Sequence, residues 1–137
     1  AAAPDCAVST DFIVGYPGET EEDFRDTLSL AREGRFAFAF CFKYSQRSPG
    51  KGLAPDLPEK EIEARLERLL CEVKKNSLVI LNSRIGKMEE VLLESADCGR
   101  TSADFKVKLD SGGKAGELVR AEIYGAQKNV LKGRLLL

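Results

Sequence analysis

Few residues in this chain are both able to carry chemistry and usefully spaced. The four cysteines, Cys6, Cys41, Cys71 and Cys98, stand about thirty residues apart without CxxC or CxxxCxxC spacing, and histidine is absent. The chain therefore has no metal-ligand set of its own, and no residue in it is assigned a catalytic role. Isolated cysteines in apolar runs such as FCF read as reduced core residues, which points to a cytoplasmic protein. What remains is binding chemistry. The first candidate is GYPGE, Gly15 to Glu19, where two glycines and Pro17 force a sharp turn. The second is Arg47 with Lys51, since a guanidinium can form two parallel hydrogen bonds with a phosphate or carboxylate. In each case a bland reading stands beside the sharp one: glycines kept for turn geometry alone, and cations in a solvated connector.

The elements around the glycine turn explain why it comes first. Phe12, Ile13 and Val14 suit a strand buried on both faces, and the strand stops at Gly15. A helix follows from about Thr20 to Glu33, with Thr20 as N-cap, Asp23 completing a short capping box, and Gly34 as the C′ residue. Phe24, Leu28 and Ala31 share one face of it. Phe36 to Tyr44, FAFAFCFKY, reads as a second doubly covered strand. A strand, helix, strand order predicts parallel neighbours, with ligands gathering at the carboxyl ends of the strands. That rim also receives Lys43, Tyr44, Ser45 and Arg47. Two parallel strands leave sheet edges and a face uncovered, so further strands are expected from outside this chain, and dimerisation or strand exchange through the edges is open to it.

Residues 45 to 58 hold three prolines and two glycines and predict an irregular connector. A long helix is expected from Glu59 to about Asn82, with Ile62, Leu66, Leu69, Val73 and Ile80 on one stripe and Glu61 with Arg65 outside. After Gly86 the hydrophobic period becomes two. Four short strands are expected, Met88 to Leu93, Phe105 to Leu109, Leu118 to Ile123 and Val130 to Leu136, forming a small antiparallel barrel or sandwich. Its outward lysines serve either solubility or nucleic acid.

The bulk numbers exclude extremes. At 137 residues and 43% hydrophobic content the chain has enough apolar mass for one domain or two small ones. A net charge of -1 rules out a globally basic nucleic-acid binder. No run is apolar enough for a membrane helix, and AAAPDC lacks the features of a signal peptide. A start without methionine, almost directly in a strand, reads as an excised fragment.

The stretches STDFIVGYPGETEEDF, FKYSQR, RLERL, GKMEEVLLES, CGRT and NVLKGRLLL occur in the order found in the radical S-adenosylmethionine methylthiotransferases. The chain resembles the C-terminal part of that family, in particular the tRNA 2-methylthioadenosine synthases. The resemblance implies α/β followed by all-β: residues 1 to 83 as the C-terminal βαβα portion of a partial (β/α) barrel, then an RNA-binding, OB-like TRAM barrel at 84 to 137. It implies that Thr10, Asp11, Ile13, Gly15 and Glu19 lie beside the adenosyl part of S-adenosylmethionine, with Ile13 against the adenine and Gly15 letting the backbone approach. Phe42 and Tyr44 come from the adjacent strand. It implies that Arg47, Lys51, Arg100, Lys106, Lys108, Arg120 and Arg134 meet the tRNA backbone near the anticodon stem-loop.

Two departures from the family qualify this. The CxxxCxxC cysteines that hold a 4Fe-4S cluster are absent, as is the preceding domain with its second cluster, so the clusters belong to an upstream part and this stretch alone is expected to be inactive. After FKYSQR the family has RxGTxA, whereas this chain reads RSPGKGL. The activity implied is addition of a methylthio group to an isopentenyl or threonylcarbamoyl adenosine next to the anticodon. Methylthiolation of a ribosomal protein and a purely RNA-binding, non-catalytic module are the alternatives; a scaffold with no RNA role is a third.

Overall fold

A computed structural model describes residues 6–48 and 52–136. They fall into two compact units, one spanning Val8–Ser77 and the other beginning at Leu78.

In the first unit, β1 (Ser9–Val14) and β2 (Phe38–Lys43) pair in parallel, with Asp11 opposite Phe40 and Ile13 opposite Phe42. Between them runs α1 (Glu21–Glu33), and α2 (Glu59–Asn82) follows. The capping box forms as the sequence predicts. The Asp23 amide donates to Thr20 Oγ1 at 3.1 Å and the Thr20 amide to Asp23 Oδ2 at 2.8 Å, satisfying two amides that the helix leaves unpaired. At the far end Gly34 is not the left-handed residue. Its φ is -70°, and Arg35 takes the positive φ of 49°. Gly34 is needed for space, because a Cβ there would stand 2.2 Å from the Phe36 ring.

The unit's core joins one face of the sheet to both helices: Phe12 and Val14 from β1, Phe24 and Ala31 from α1, Ile62 and Leu69 from α2. Phe36 meets Phe12 edge-on at 5.9 Å. The other sheet face is uncovered, with Ile13, Phe40 and Phe42 each more than half exposed. The expectation of strands covered on both faces thus holds on the helix side only. Alternation along a strand sends every second residue of FAFCFK to the open side, and no other described strand joins this sheet.

The second unit is a closed five-stranded barrel: β3 (Met88–Leu93), β4 (Cys98–Thr101), β5 (Lys106–Leu109), β6 (Leu118–Gln127) and β7 (Val130–Leu135), in the order β3-β4-β5-β7-β6. Closure removes every open edge. The barrel is mixed and not purely antiparallel, because β5 and β7 run parallel. It has one strand more than expected, since the CGRT stretch, which lies outside the four expected strands, forms β4. Gly99 explains the misreading. A glycine looks like a breaker, yet here it faces inward, where a Cβ would lie 2.3 Å from the Leu92 carbonyl oxygen. β6 also outruns its expected end, leaving Lys128 and Asn129, both at positive φ, as a two-residue hairpin turn. Val91, Leu93, Phe105, Val107, Leu109, Ala121, Ile123 and Leu131 fill the interior.

Candidate functional sites

The rim of the first unit is organised by a buried ion pair. Glu19, in the glycine turn, accepts from the Gly15 amide at 3.2 Å and from Arg65 Nη1 at 2.5 Å. The two side chains are 9% and 5% exposed, which makes this contact structural in weight. Arg65 also reaches the Glu61 carboxylate at 3.3 Å and the carbonyls of Glu19 and Thr20, with its guanidinium 5.5 Å from the centre of the Phe24 ring. Burial works against the charge on Arg65. The Glu19 and Glu61 carboxylates outweigh it and hold the pKa above the ordinary arginine value. Arg65, expected on the solvent side of α2, is therefore the clamp between that helix and the turn. The signal was present: it follows Ile62 by three residues and precedes Leu69 by four, on the buried stripe.

Gly15 answers a related demand. Its φ is +74°, and a Cβ would come within 2.7 Å of Ile62, so the turn packs against α2 as closely as a glycine allows. The space that Gly15 leaves open is filled by the protein's own helix.

Beyond the carboxyl ends of β1 and β2 lies a cavity of about 640 Å³, lined by Ile13, Tyr16, Lys43, Tyr44, Ser45, Arg47, Gly52 and Leu53. Tyr16 and Tyr44 meet edge-on at 5.2 Å, and the Tyr44 hydroxyl donates to the Leu53 carbonyl at 2.8 Å. These contacts give the cavity an apolar and aromatic wall, and its volume lies in the range of small-molecule sites. Of the expected cofactor residues, Ile13 and Tyr44 line this cavity. Asp11 and Phe42 share the open sheet face with Ile13. Thr10 lies on the helix side with Phe12 and Val14, and Glu19 is committed to Arg65. Lys43 is held by Glu59 and Glu63, and the hydrogen bond with Glu59 raises its pKa despite partial desolvation. Arg47 is exposed at the cavity edge, whereas Lys51 lies outside the described residues. Among the described residues no group of three or more histidines, cysteines or acids could hold a metal ion. An iron–sulfur cluster does not fit this set. All four cysteines are free thiols; Cys41 packs on the core, where burial raises its pKa, while Cys6 and Cys71 are exposed and do not fit the core reading.

The barrel's outer surface sorts the expected RNA-binding cations into two sets. Arg100 stands opposite Lys106, and Lys108 opposite Lys132, so β4, β5 and β7 carry one continuous cationic strip. Glu94 and Asp104 pair with Arg100, and Asp97 approaches Lys108 at 3.8 Å. Among the described residues no carboxylate stands in ion-pair distance of Lys106 or Lys132. Arg134, two residues from Lys132 on β7, stands opposite Glu122, and Arg120 on β6 opposite Glu90; among the described residues neither arginine is within ion-pair distance of a carboxylate. Lys132 escaped the sequence reading, although the in-and-out alternation of VLKGRL places it outside with Arg134. The Arg84 side chain, 11% exposed, stacks on Phe105 at 4.9 Å and pairs with Glu89 at 3.1 Å, a second internal clamp.

Fold and site together define a class: a parallel βα wall with a recess at its carboxyl rim, followed in sequence by a closed five-stranded barrel consistent with a TRAM module. No family model matches the chain. Comparison with curated proteins is more specific. The chain is homologous, over nearly its whole length, to a part of the tRNA-2-methylthio-N(6)-dimethylallyladenosine synthases. It is 37% identical to the synthase of Erythrobacter litoralis over 144 residues, which cover 99% of the chain and 32% of that protein. It is 40% identical to the synthase of Cereibacter sphaeroides over 147 residues, covering 99% and 33%. With that of Sorangium cellulosum it shares 38% over 152 residues, covering 98% and 30%. The chain thus spans about a third of the length of these relatives.

Proposed function

We propose that this chain is the cofactor-facing wall and RNA-gripping tail of a cytoplasmic radical S-adenosylmethionine methylthiotransferase, which adds a methylthio group to an isopentenyl-type adenosine next to the tRNA anticodon. The observation carrying this reading is the whole-length homology to synthases named for that product. On this reading the wall runs to residue 83, just past the end of α2, and the barrel from residue 84, a few residues beyond the point at Leu78 where the compact units divide. S-adenosylmethionine and the 4Fe-4S clusters supply the radical chemistry, which side chains cannot. The clusters belong to a part of the enzyme beyond these residues, and this stretch by itself does not turn over.

The chain's own residues bind and position. Ile13, with Tyr16 and Tyr44, offers an apolar surface for the adenine, next to Asp11 and Phe42 on the same sheet face. Gly15, Glu19 and Arg65 act behind that surface, fixing the turn so that Ile13 and Tyr16 stay in place. Arg47, Lys106 and Lys108, with Arg100 once it exchanges its carboxylate partners for phosphate, meet RNA phosphates, and Arg120 and Arg134 join them from β6 and β7.

Binding competition tests the reading. A labelled tRNA anticodon stem-loop is titrated with the chain, alongside ribosomal protein as the rival partner. Preference for the stem-loop is expected. Preference for the ribosomal protein would place the parent enzyme among protein methylthiotransferases, and binding to neither would leave the barrel a scaffold.

A further inference from the structure

The barrel has two aromatic residues, and the structure treats them in opposite ways. Phe105 is 2% exposed in the core. Tyr124 stands outside, 42% exposed, and is held from three directions. First, the pairing of β6 with β7 shifts register between Ile123 and Gly125, whose partners are the consecutive residues Gly133 and Lys132. Tyr124 is the extra residue of this bulge, a device that re-aims a side chain. Second, its hydroxyl donates to Asp110 Oδ1 at 2.5 Å, a bond spanning fourteen residues of sequence. Third, the Arg134 guanidinium sits 5.8 Å from the ring centre.

A surface phenol has water for a partner and needs none of these contacts. Together they fix the orientation of a ring whose remaining surface stays open and place the Arg134 guanidinium against it, while Lys132 stands across the strand pair at the adjacent register position, opposite Gly125. A rigid exposed ring beside cations is the arrangement that stacks a nucleobase while its flanking phosphates meet positive charge.

We infer that Tyr124 is a stacking platform for an unpaired RNA base, with Arg134 and Lys132 receiving the neighbouring phosphates. This rests on the RNA-binding reading above and adds a contact to the base where that reading has contacts to the backbone only.

The test compares two probes on the whole chain: a labelled oligoadenylate of roughly twelve nucleotides, within the usual site size of such barrels, and an abasic sugar-phosphate strand of equal length. The wild-type protein should bind oligoadenylate at least about fivefold more tightly than the abasic strand, as one stacked base provides. Tyr124→Leu should erase that preference and leave abasic binding unchanged. Tyr124→Phe, which keeps the ring and loses the Asp110 bond, should retain most of it. Equal binding of the two probes by wild type would overturn the platform while leaving the backbone grip intact. So would a preference that survives in Tyr124→Leu, or one lost as fully in Tyr124→Phe. Binding of neither probe would remove the RNA reading and the platform with it.

Discussion

The two units use arginine and lysine in contrasting ways. At the rim of the α/β unit the decisive cation points inward: Arg65 is 5% exposed, shares hydrogen bonds with Glu19 and Glu61, and braces a glycine turn. On the barrel the cations of β4, β5 and β7 point outward, and Lys106 and Lys132 have no carboxylate within ion-pair distance among the described residues. The first arrangement gives a shape that must not move. The second gives a charge that can be neutralised by something else. A cavity wall for a planar cofactor needs the former, and a surface that follows a nucleic-acid backbone needs the latter.

The contrast is most easily broken at Arg65. Replacing it with alanine leaves Glu19 buried without its partner, and removal of one member of a buried pair costs about 3–5 kcal/mol. Urea unfolding should show a loss of that order, whereas Lys106→Ala should stay within about 0.5 kcal/mol of wild type. Equal, small effects at both positions would erase the distinction between the two kinds of cation. Gly15→Ala comes next. A methyl group at φ +74° that also meets Ile62 at 2.7 Å should cost about 1–3 kcal/mol, as strained backbone positions do. Shrinking the neighbour in a Gly15→Ala, Ile62→Val double variant should recover part of that loss, which sharpens the assignment to packing.

The smallest expected effect concerns pH. Hydrogen bonds from the Thr20 amide and hydroxyl hold Asp23 below its ordinary carboxyl pKa. Folding therefore favours the ionised form. The cap's contribution is complete above the unfolded value, near 3.8, and is lost as pH falls through the lower folded value. Thermal melts should show wild type more stable than Asp23→Asn at neutral pH, with the gap closing on acidification. A gap that stays constant from neutral pH to about pH 2, well below the usual aspartate range, would exclude this role.

Much of this architecture was legible in the sequence because local rules and tertiary packing agree. TEED before Phe24 spells a capped helix, and the helix is there. STDFIV and FAFCFK read as strands and pair in parallel. The misses occur where one residue type has two uses. Gly99 and Gly125 look like breakers, yet one provides space inside a barrel and the other continues a bulged strand. Arg65 looks solvent-bound by type, although its spacing puts it on the buried stripe. Pairing across strands, which sets Lys132 beside Lys108 and Glu122 against Arg134, has no trace in a linear pattern. The recess at the rim needed Tyr16, which sits inside the recognised turn but had no partner until Tyr44 was brought to 5.2 Å.

The central claim is that the barrel's outward cations grip tRNA phosphates, and the salt dependence of binding tests it most directly. Affinity for an anticodon stem-loop should fall roughly tenfold or more between about 50 and 200 mM salt. In Lys106→Glu, Lys108→Glu the affinity should drop further, and the slope of log K against log salt should shrink by about one for each lysine that touches a phosphate. A slope near zero in wild type, or one that the double variant leaves unchanged, would contradict the account.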